Sequence, residues 1–261
     1  MKMLKVYDLM KYIEEIAPSE KALSFDNVGL MTGSRDKEVR GILCCLDLTR
    51  EVIYEAVEEG VNTIITHHPF IFDPVKRLDE DNVRGKLLGM AVRYELNVLS
   101  AHTNWDFAEK GVNHALCVKI GLKDIREDEY MQHRFGVLDK EMDISEFCEH
   151  VKDRLQAKFV KVVIPEGLER KKIKVVGVSC GSFDGESAWI YENGVDCLVT
   201  GEVKHSQAID LNMHGFVTIS AGHYETEVWG MDAMADIISK RFGDKTRILK
   251  SVRQKNPFIL R

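Results

Sequence analysis

The chain has 261 residues, enough for one large or two modest domains. Hydrophobic residues at 44% and charged residues at 30% are the proportions of a packed globular chain rather than a disordered one. The net charge of −6 supplies no electrostatic footprint for nucleic acid, and no apolar run reaches the length of a membrane-spanning helix.

The N-terminus, Met1-Lys-Met-Leu-Lys-Val-Tyr-Asp8, lacks the apolar core of a secretory signal. Cys44, Cys45, Cys117, Cys148, Cys180 and Cys197 are scattered, with no Cys-x-x-Cys pair. That usage argues against a disulfide framework and for the cytoplasm.

Val6, Leu9, Met10, Ile13 and Ile16 recur at helical spacing, and Pro18 ends that helix. Ser24–Gly33 reads as a loop in which Gly29 and Gly33 bracket apolar residues. Gly41–Leu46 is a strand, Thr49 caps a helix running to Glu59, and Gly60 closes it in a left-handed position. Ile64 and Ile65 are consecutive, so Thr63–Thr66 predicts a strand buried on both faces, and Pro69 stops it. His67 and His68 thereby fall at the carboxyl end of a parallel strand, where open α/β sheets place their ligands. Neighbouring side chains on a strand diverge, so the pair serves one place only if the chain twists there. A helix from about Asn82 to Leu96 and a strand Asn97–Ala101 complete two βαβ units, and Gly111–Ile120 makes one more helix.

A second segment follows. Strands Arg134–Leu138 and Phe159–Ile164 flank an amphipathic helix Ile144–Leu155. Then come a strand Lys172–Ser179, a helix Glu186–Asn193 capped by Gly194, and a strand within Val195–Glu202. A helix to about Met213, a strand Phe216–Ser220, a long helix Thr226–Arg241 and a short strand finish the chain. Gly60-Val-Asn-Thr-Ile-Ile-Thr66 aligns with Gly194-Val-Asp-Cys-Leu-Val-Thr200, with the same element order around each copy. The expected fold class is α/β: two similar interlinked domains with βαβ units and mixed sheets flanked by helices. The expected boundaries are 1–125 plus about 222–261 for the first domain, and 126–221 for the second.

Four strand ends collect the unusual polar side chains: His67 and His68; His102 and Asp106; Glu202 and His205; His223 and Glu227. Imidazole with carboxylate suits borderline divalent cations such as Zn, Fe or Mn. His223 and Glu227, four residues apart, share a helix face if the helix begins near His223. Three imidazoles with two carboxylates suffice to hold a pair of ions and leave positions open for water. Taken singly, each cluster has an ordinary reading, His102 or Asp106 as a cap and Glu227 in a first helical turn. No Gly-x-Gly-x-x-Gly or Gly-x-x-x-x-Gly-Lys-Ser/Thr nucleotide loop occurs, and Ser179-Cys180-Gly-Ser182 lacks the nucleophile-elbow pattern.

Ser24-Phe-Asp-Asn-Val-Gly-Leu30, Thr66-His-His-Pro-Phe-Ile-Phe72, Ala101-His-Thr-Asn-Trp-Asp106, Gly201-Glu-Val-Lys-His205 and Gly222-His-Tyr-Glu-Thr-Glu227 span nearly the whole chain. Together they resemble the dinuclear-metal-centre hexameric proteins, often labelled type 2 GTP cyclohydrolase I homologues. The resemblance implies two similar α/β domains assembled as a toroidal homohexamer, with two divalent metal ions per subunit. It implies His67, His68, Asp106, His223 and Glu227 as metal ligands, Glu227 bridging, the same five that spacing nominates. His102 is then a neighbour of the site, while Glu202 and His205 approach it as acid–base residues. Ser206 stands where the family commonly has a second histidine, and the long domain inserted in some relatives has no room here.

The implied activity is that of a metal-dependent hydrolase, with metal-activated water opening the imidazole ring of GTP and releasing formate. Its small-molecule substrate would be a nucleotide, whose base could stack on Tyr224 or Trp105, the alternative being that both are packing residues. The alternative is a non-catalytic metal carrier or scaffold, and a third reading is hydrolysis of a phosphoester by the same ions.

Overall fold

The structure, a computed structural model, describes residues 3–129 and 132–259. In chain order the elements are α1 (Val6–Ile16), β1 (Gly29–Thr32), β2 (Ile42–Cys45), α2 (Arg50–Glu58), β3 (Thr63–Thr66), α3 (Val83–Arg93), β4 (Asn97–Ser100), α4 (Thr103–Asp106), α5 (Val112–Ile120), β5 (Lys123–Glu127) and β6 (Arg134–Asp143). They continue with α6 (Ile144–Leu155), β7 (Lys161–Val163), β8 (Lys172–Ser182), α7 (Ala188–Glu192), β9 (Cys197–Glu202), α8 (His205–Met213), β10 (Val217–Ser220), α9 (His223–Phe242) and β11 (Ile248–Lys250). The chain divides into two units, Met1–Gly111 with Met231–Lys255, and Val112–Gly230 with the residues from Asn256. No helix among the described residues is long and apolar enough to cross a membrane.

The first unit carries a five-stranded sheet in the order β1-β4-β3-β2-β11. β11, β2, β3 and β4 run parallel, and β1 closes the edge antiparallel to β4. β2, β3 and β4 are buried throughout, as the uninterrupted apolar character of Ile42–Cys45 and Ile64–Ile65 requires. Their side chains meet Val52, Ile53 and Ala56 of α2 and Met90 and Ala91 of α3 in one core. Thr49 Oγ1 accepts from Val52 N and Asn82 Oδ1 from Gly85 N, so both crossover helices start at side-chain caps. Gly60, at φ +68°, ends the first helix in the left-handed conformation that a Cβ disfavours.

The second unit carries a six-stranded sheet in the order β5-β6-β8-β9-β10-β7. β8, β9 and β10 are parallel, whereas β5, β6 and β7 pair antiparallel with their neighbours. Helices α5 and α6 pack Leu116, Ile120, Phe147, Val151 and Leu155 on Val176, Val178 and Val199. The mixed α/β class, with two sheets flanked by helices, is as the periodicities predict.

The repeat extends to hydrogen bonds. In each unit a parallel trio (β2-β3-β4, β8-β9-β10) ends beside an antiparallel edge strand, β1 or β7. Thr66 pairs in register with Ser100, and Thr200 with Ser220. Ala101 N then donates to Thr66 O at 3.0 Å, and Ala221 N to Thr200 O at 2.8 Å. Both halves therefore release the chain from the sheet at equivalent points, just before His102 and before His223.

Several elements differ from the sequence expectation, among them the short helix α4 and the following three. Residues 29–32, read as loop, form β1; every residue there is half-buried, so neither alternation nor an apolar run announces the strand. β5, Lys-Asp-Ile-Arg-Glu, is mostly exposed, pairs with β6 and turns only Ile125 toward the core. The last long helix begins at His223, three residues before the expected Thr226.

Candidate metal centre

β3 stops at Thr66, whose Oγ1 lies 2.7 Å from Ser100 Oγ on β4. Beyond it the backbone bends. His67 N donates to Cys45 O and Leu46 O, both at 3.2 Å, and His68 N donates to Leu46 O at 3.0 Å. The bend cancels the alternation that would send adjacent strand side chains to opposite faces. The two rings converge instead, with centroids 5.0 Å apart. His102, two residues beyond β4, brings its ring to 5.1 Å from His67 and 5.5 Å from His68. One ring nitrogen from each of the three lies within 4.8 Å of the others.

Each ring has an oxygen at Nδ1. The partners are Ala101 O at 3.0 Å for His67, Asp47 Oδ1 at 2.8 Å for His68 and Asp26 Oδ1 at 2.8 Å for His102. A carbonyl or carboxylate oxygen can only accept, so Nδ1 carries a proton and Nε2 is the nitrogen left to meet a cation when the ring is neutral. Metal-ligating imidazoles are oriented in this manner. Asp106, buried at the end of α4, holds Oδ1 3.4 Å from His67 Nε2. Neutral imidazoles beside a carboxylate are a donor set that fits a borderline divalent cation.

Asp26 makes the outer support rigid. Its side chain is wholly buried, and Oδ2 accepts from Thr103 N at 3.0 Å and Thr103 Oγ1 at 2.5 Å. Burial opposes its charge, but the bonds from His102 and Thr103 outweigh burial and hold its pKa at about 2.

The second unit gathers Glu202 from the end of β9 with His223 and Glu227 from the first turns of α9. His223 Nε2 lies 3.0 Å from Glu227 Oε2, and its Nδ1 lies 3.3 Å from Glu202 Oε2. Ser182 Oγ donates to the same Glu202 oxygen at 2.9 Å. Glu227 is buried while Glu202 is half exposed. Space for the buried carboxylate comes from Gly181, at φ +59°, where a Cβ would stand 2.1 Å from Glu227 Oε1. The Ser179–Ser182 glycine thus serves a close approach and a turn, and Cys180 N is tied to Asn113 Oδ1 at 2.8 Å.

His67, His68 and Asp106 are brought together in the first unit, joined by His102, which the sequence reading set beside the ligands. Glu202, His223 and Glu227 are brought together in the second. His205, first residue of α8, is exposed and hydrogen-bonds to none of those three. Trp105 is fully buried and so offers no face to a nucleotide base. Asp26 and Asp47 escaped the sequence reading, because an acid is marked as a histidine's partner only by the contact itself.

A model of the family described as DUF34/NIF3 (NGG1p interacting factor 3) matches residues 4–257. A curated relative from Clostridium acetobutylicum, a GTP cyclohydrolase 1 type 2 homolog, is 33% identical and aligns over 98% of both chains. The crystal structure of a Staphylococcus aureus hypothetical protein has a TM-score of 0.92 at 28% identity, covering 99% of this chain and 100% of that one. A Bacillus cereus protein related to NIF3 shares the fold at a TM-score of 0.92 and 22% identity, covering 100% of both chains. With family model, sequence and backbone agreeing along nearly all of its length, the chain belongs to the DUF34/NIF3 family.

Proposed function

We propose that this chain is a dinuclear divalent-metal-dependent hydrolase acting on a nucleotide, with ring opening of GTP and release of formate as the reaction to test first. The observation that supports it is the group of three histidines whose Nδ1 protons are each anchored on oxygen, leaving Nε2 lone pairs for a cation. The curated relatives' label supplies the choice of GTP.

His67, His68, Asp106, His223 and Glu227 are the proposed ligands of two ions of Zn, Fe or Mn, and His102 offers one more imidazole. Such ions, when bound, lower the pKa of water and stabilise developing negative charge. Glu202, half exposed and held by Ser182 Oγ, is proposed to take a proton from the attacking water. His205, open to solvent at the start of α8, is proposed to pass it on. Six copies of the chain are proposed to assemble as a toroidal homohexamer.

Elemental analysis of protein purified without chelator tests the ligand set. Wild type should carry near two ions per chain, and His68→Ala and Glu227→Ala should each lose most of them. Glu202→Gln should keep its metal and lose GTP turnover. Wild type that binds metal reversibly and turns over no nucleotide would instead be a carrier, and the hydrolase reading would fall.

A further inference from the structure

Two large apolar side chains stand in solvent beside the histidine group. Phe25 is 62% exposed and Phe72 38%, and their ring centroids are 6.2 Å apart with the planes tilted by 45°. Each ring hangs from a segment already committed to the site. Phe25 immediately precedes Asp26, the carboxylate that holds His102. Phe72 lies four residues beyond His68. Asn27 Nδ2 donates to Ile71 O at 2.6 Å, so the two segments are stitched together next to both rings.

Past Phe72 the chain lines a pocket of about 180 Å³. Phe70, Ile71 and Leu88 supply apolar wall, while Lys76, Arg77 and Arg84 supply positive charge. One acid shares the lining, Asp73, 3.8 Å from Arg84, which leaves two cations in excess. Of the acids in the neighbouring run 79–81, Glu80 pairs with Arg93 at 2.9 Å and Asp79 Oδ1 accepts from Asp81 N; none of the three lines the pocket. A small-molecule pocket usually has roughly 300–1,000 Å³, so this one suits an anionic group rather than a whole nucleotide. Phe70 is two residues from His68, which puts their Cα atoms within roughly 7 Å along an extended chain.

Resting on the hydrolase reading above, we infer that Phe25 and Phe72 grip the flat ring of a phosphorylated heterocycle, while Lys76, Arg77 and Arg84 receive its phosphates. Aromatic faces stack on any nucleobase, and guanidinium and ammonium groups pair with phosphate oxygens. This division of labour gives selectivity for ring and charge together, on a segment fixed to the histidines by chain connectivity.

Titration calorimetry of the full chain with GTP and with guanosine tests the inference. Wild type should bind GTP more tightly than guanosine. Phe25→Leu with Phe72→Leu should weaken both ligands about tenfold or more. Lys76→Gln with Arg77→Gln should weaken GTP alone and bring its affinity toward that of guanosine. Circular dichroism and solution mass should match wild type in both variants. Unchanged GTP affinity in both variants, or no GTP binding by wild type, overturns the inference. So does a changed solution mass in the phenylalanine variant, which makes the rings a subunit contact. Binding through these residues without turnover leaves the clamp standing and removes the hydrolase reading, so the two fail separately.

Discussion

Each proposed histidine ligand of the first unit works through a partner that sets its proton. Asp47 illustrates this. Its Oδ1 lies 2.8 Å from His68 Nδ1, yet its side chain is 53% exposed, so removing it disturbs little packing. Asp47→Ala should therefore lower metal affinity about 10- to 100-fold and leave the thermal midpoint nearly unchanged. A competition titration against a chelating dye reads that loss, and an unchanged affinity would show that Asp47 does not orient His68 for a metal. Gly181 plays the opposite part, since its missing side chain is the space in which the Glu227 carboxylate sits. Neither residue is itself a proposed ligand, and both shape side chains that are.

At the scale of elements, a charged clasp ties β5 and β6 to the segment after β8. His133 stacks on Trp189 at 4.4 Å, with Asp128 Oδ2 3.5 Å from Nδ1 and Asp184 Oδ2 3.3 Å from Nε2. Burial opposes the imidazolium, but the two carboxylates outweigh it and raise its pKa above 6.5. Burial also opposes charge on Asp128 and Asp184, and the bonds from His133 outweigh it to lower both pKa values below 3.8. A raised imidazolium pKa gives stability present below pH 6.5 and lost as pH rises through the folded value. Lowered carboxylate pKa values give stability present above pH 3.8 and lost as pH falls through theirs. The clasp is thus strongest between roughly pH 4 and 6.5. Melting curves should show a wild-type midpoint that falls from pH 6 to 9 more steeply than that of His133→Gln. Parallel curves would mean that folding does not raise the pKa of the ring.

At the scale of the whole molecule, one design appears in each unit: a buried parallel trio with an antiparallel edge strand, releasing polar side chains where Thr pairs with Ser. The proposed homohexamer predicts a mass near six times 29.8 kDa by light scattering. A monomeric mass at micromolar concentration would remove the assembly while leaving each unit's side-chain groups intact.

The amino-acid sequence by itself determined the order of most elements and the residue at which β3 stops. Those features are local: the bounds of α1, β3 and α6 follow from the spacing of apolar residues, and Gly60 and Gly194 take the left-handed turns that end α2 and α7. It also placed His67, His68, Glu202 and His223 at strand ends, because Pro69 and the glycines mark where pairing ceases. Tertiary structure alone decided that adjacent His67 and His68 converge rather than diverge, through the bend onto Leu46 O. It alone matched His102 with Asp26 and His68 with Asp47, pairs 76 and 21 residues apart. It alone made strands of β1 and β5, whose stability comes from a neighbour's hydrogen bonds and not from their own pattern. Periodicity reports which face of an element is buried; it carries no record of which distant oxygen will hold a given ring.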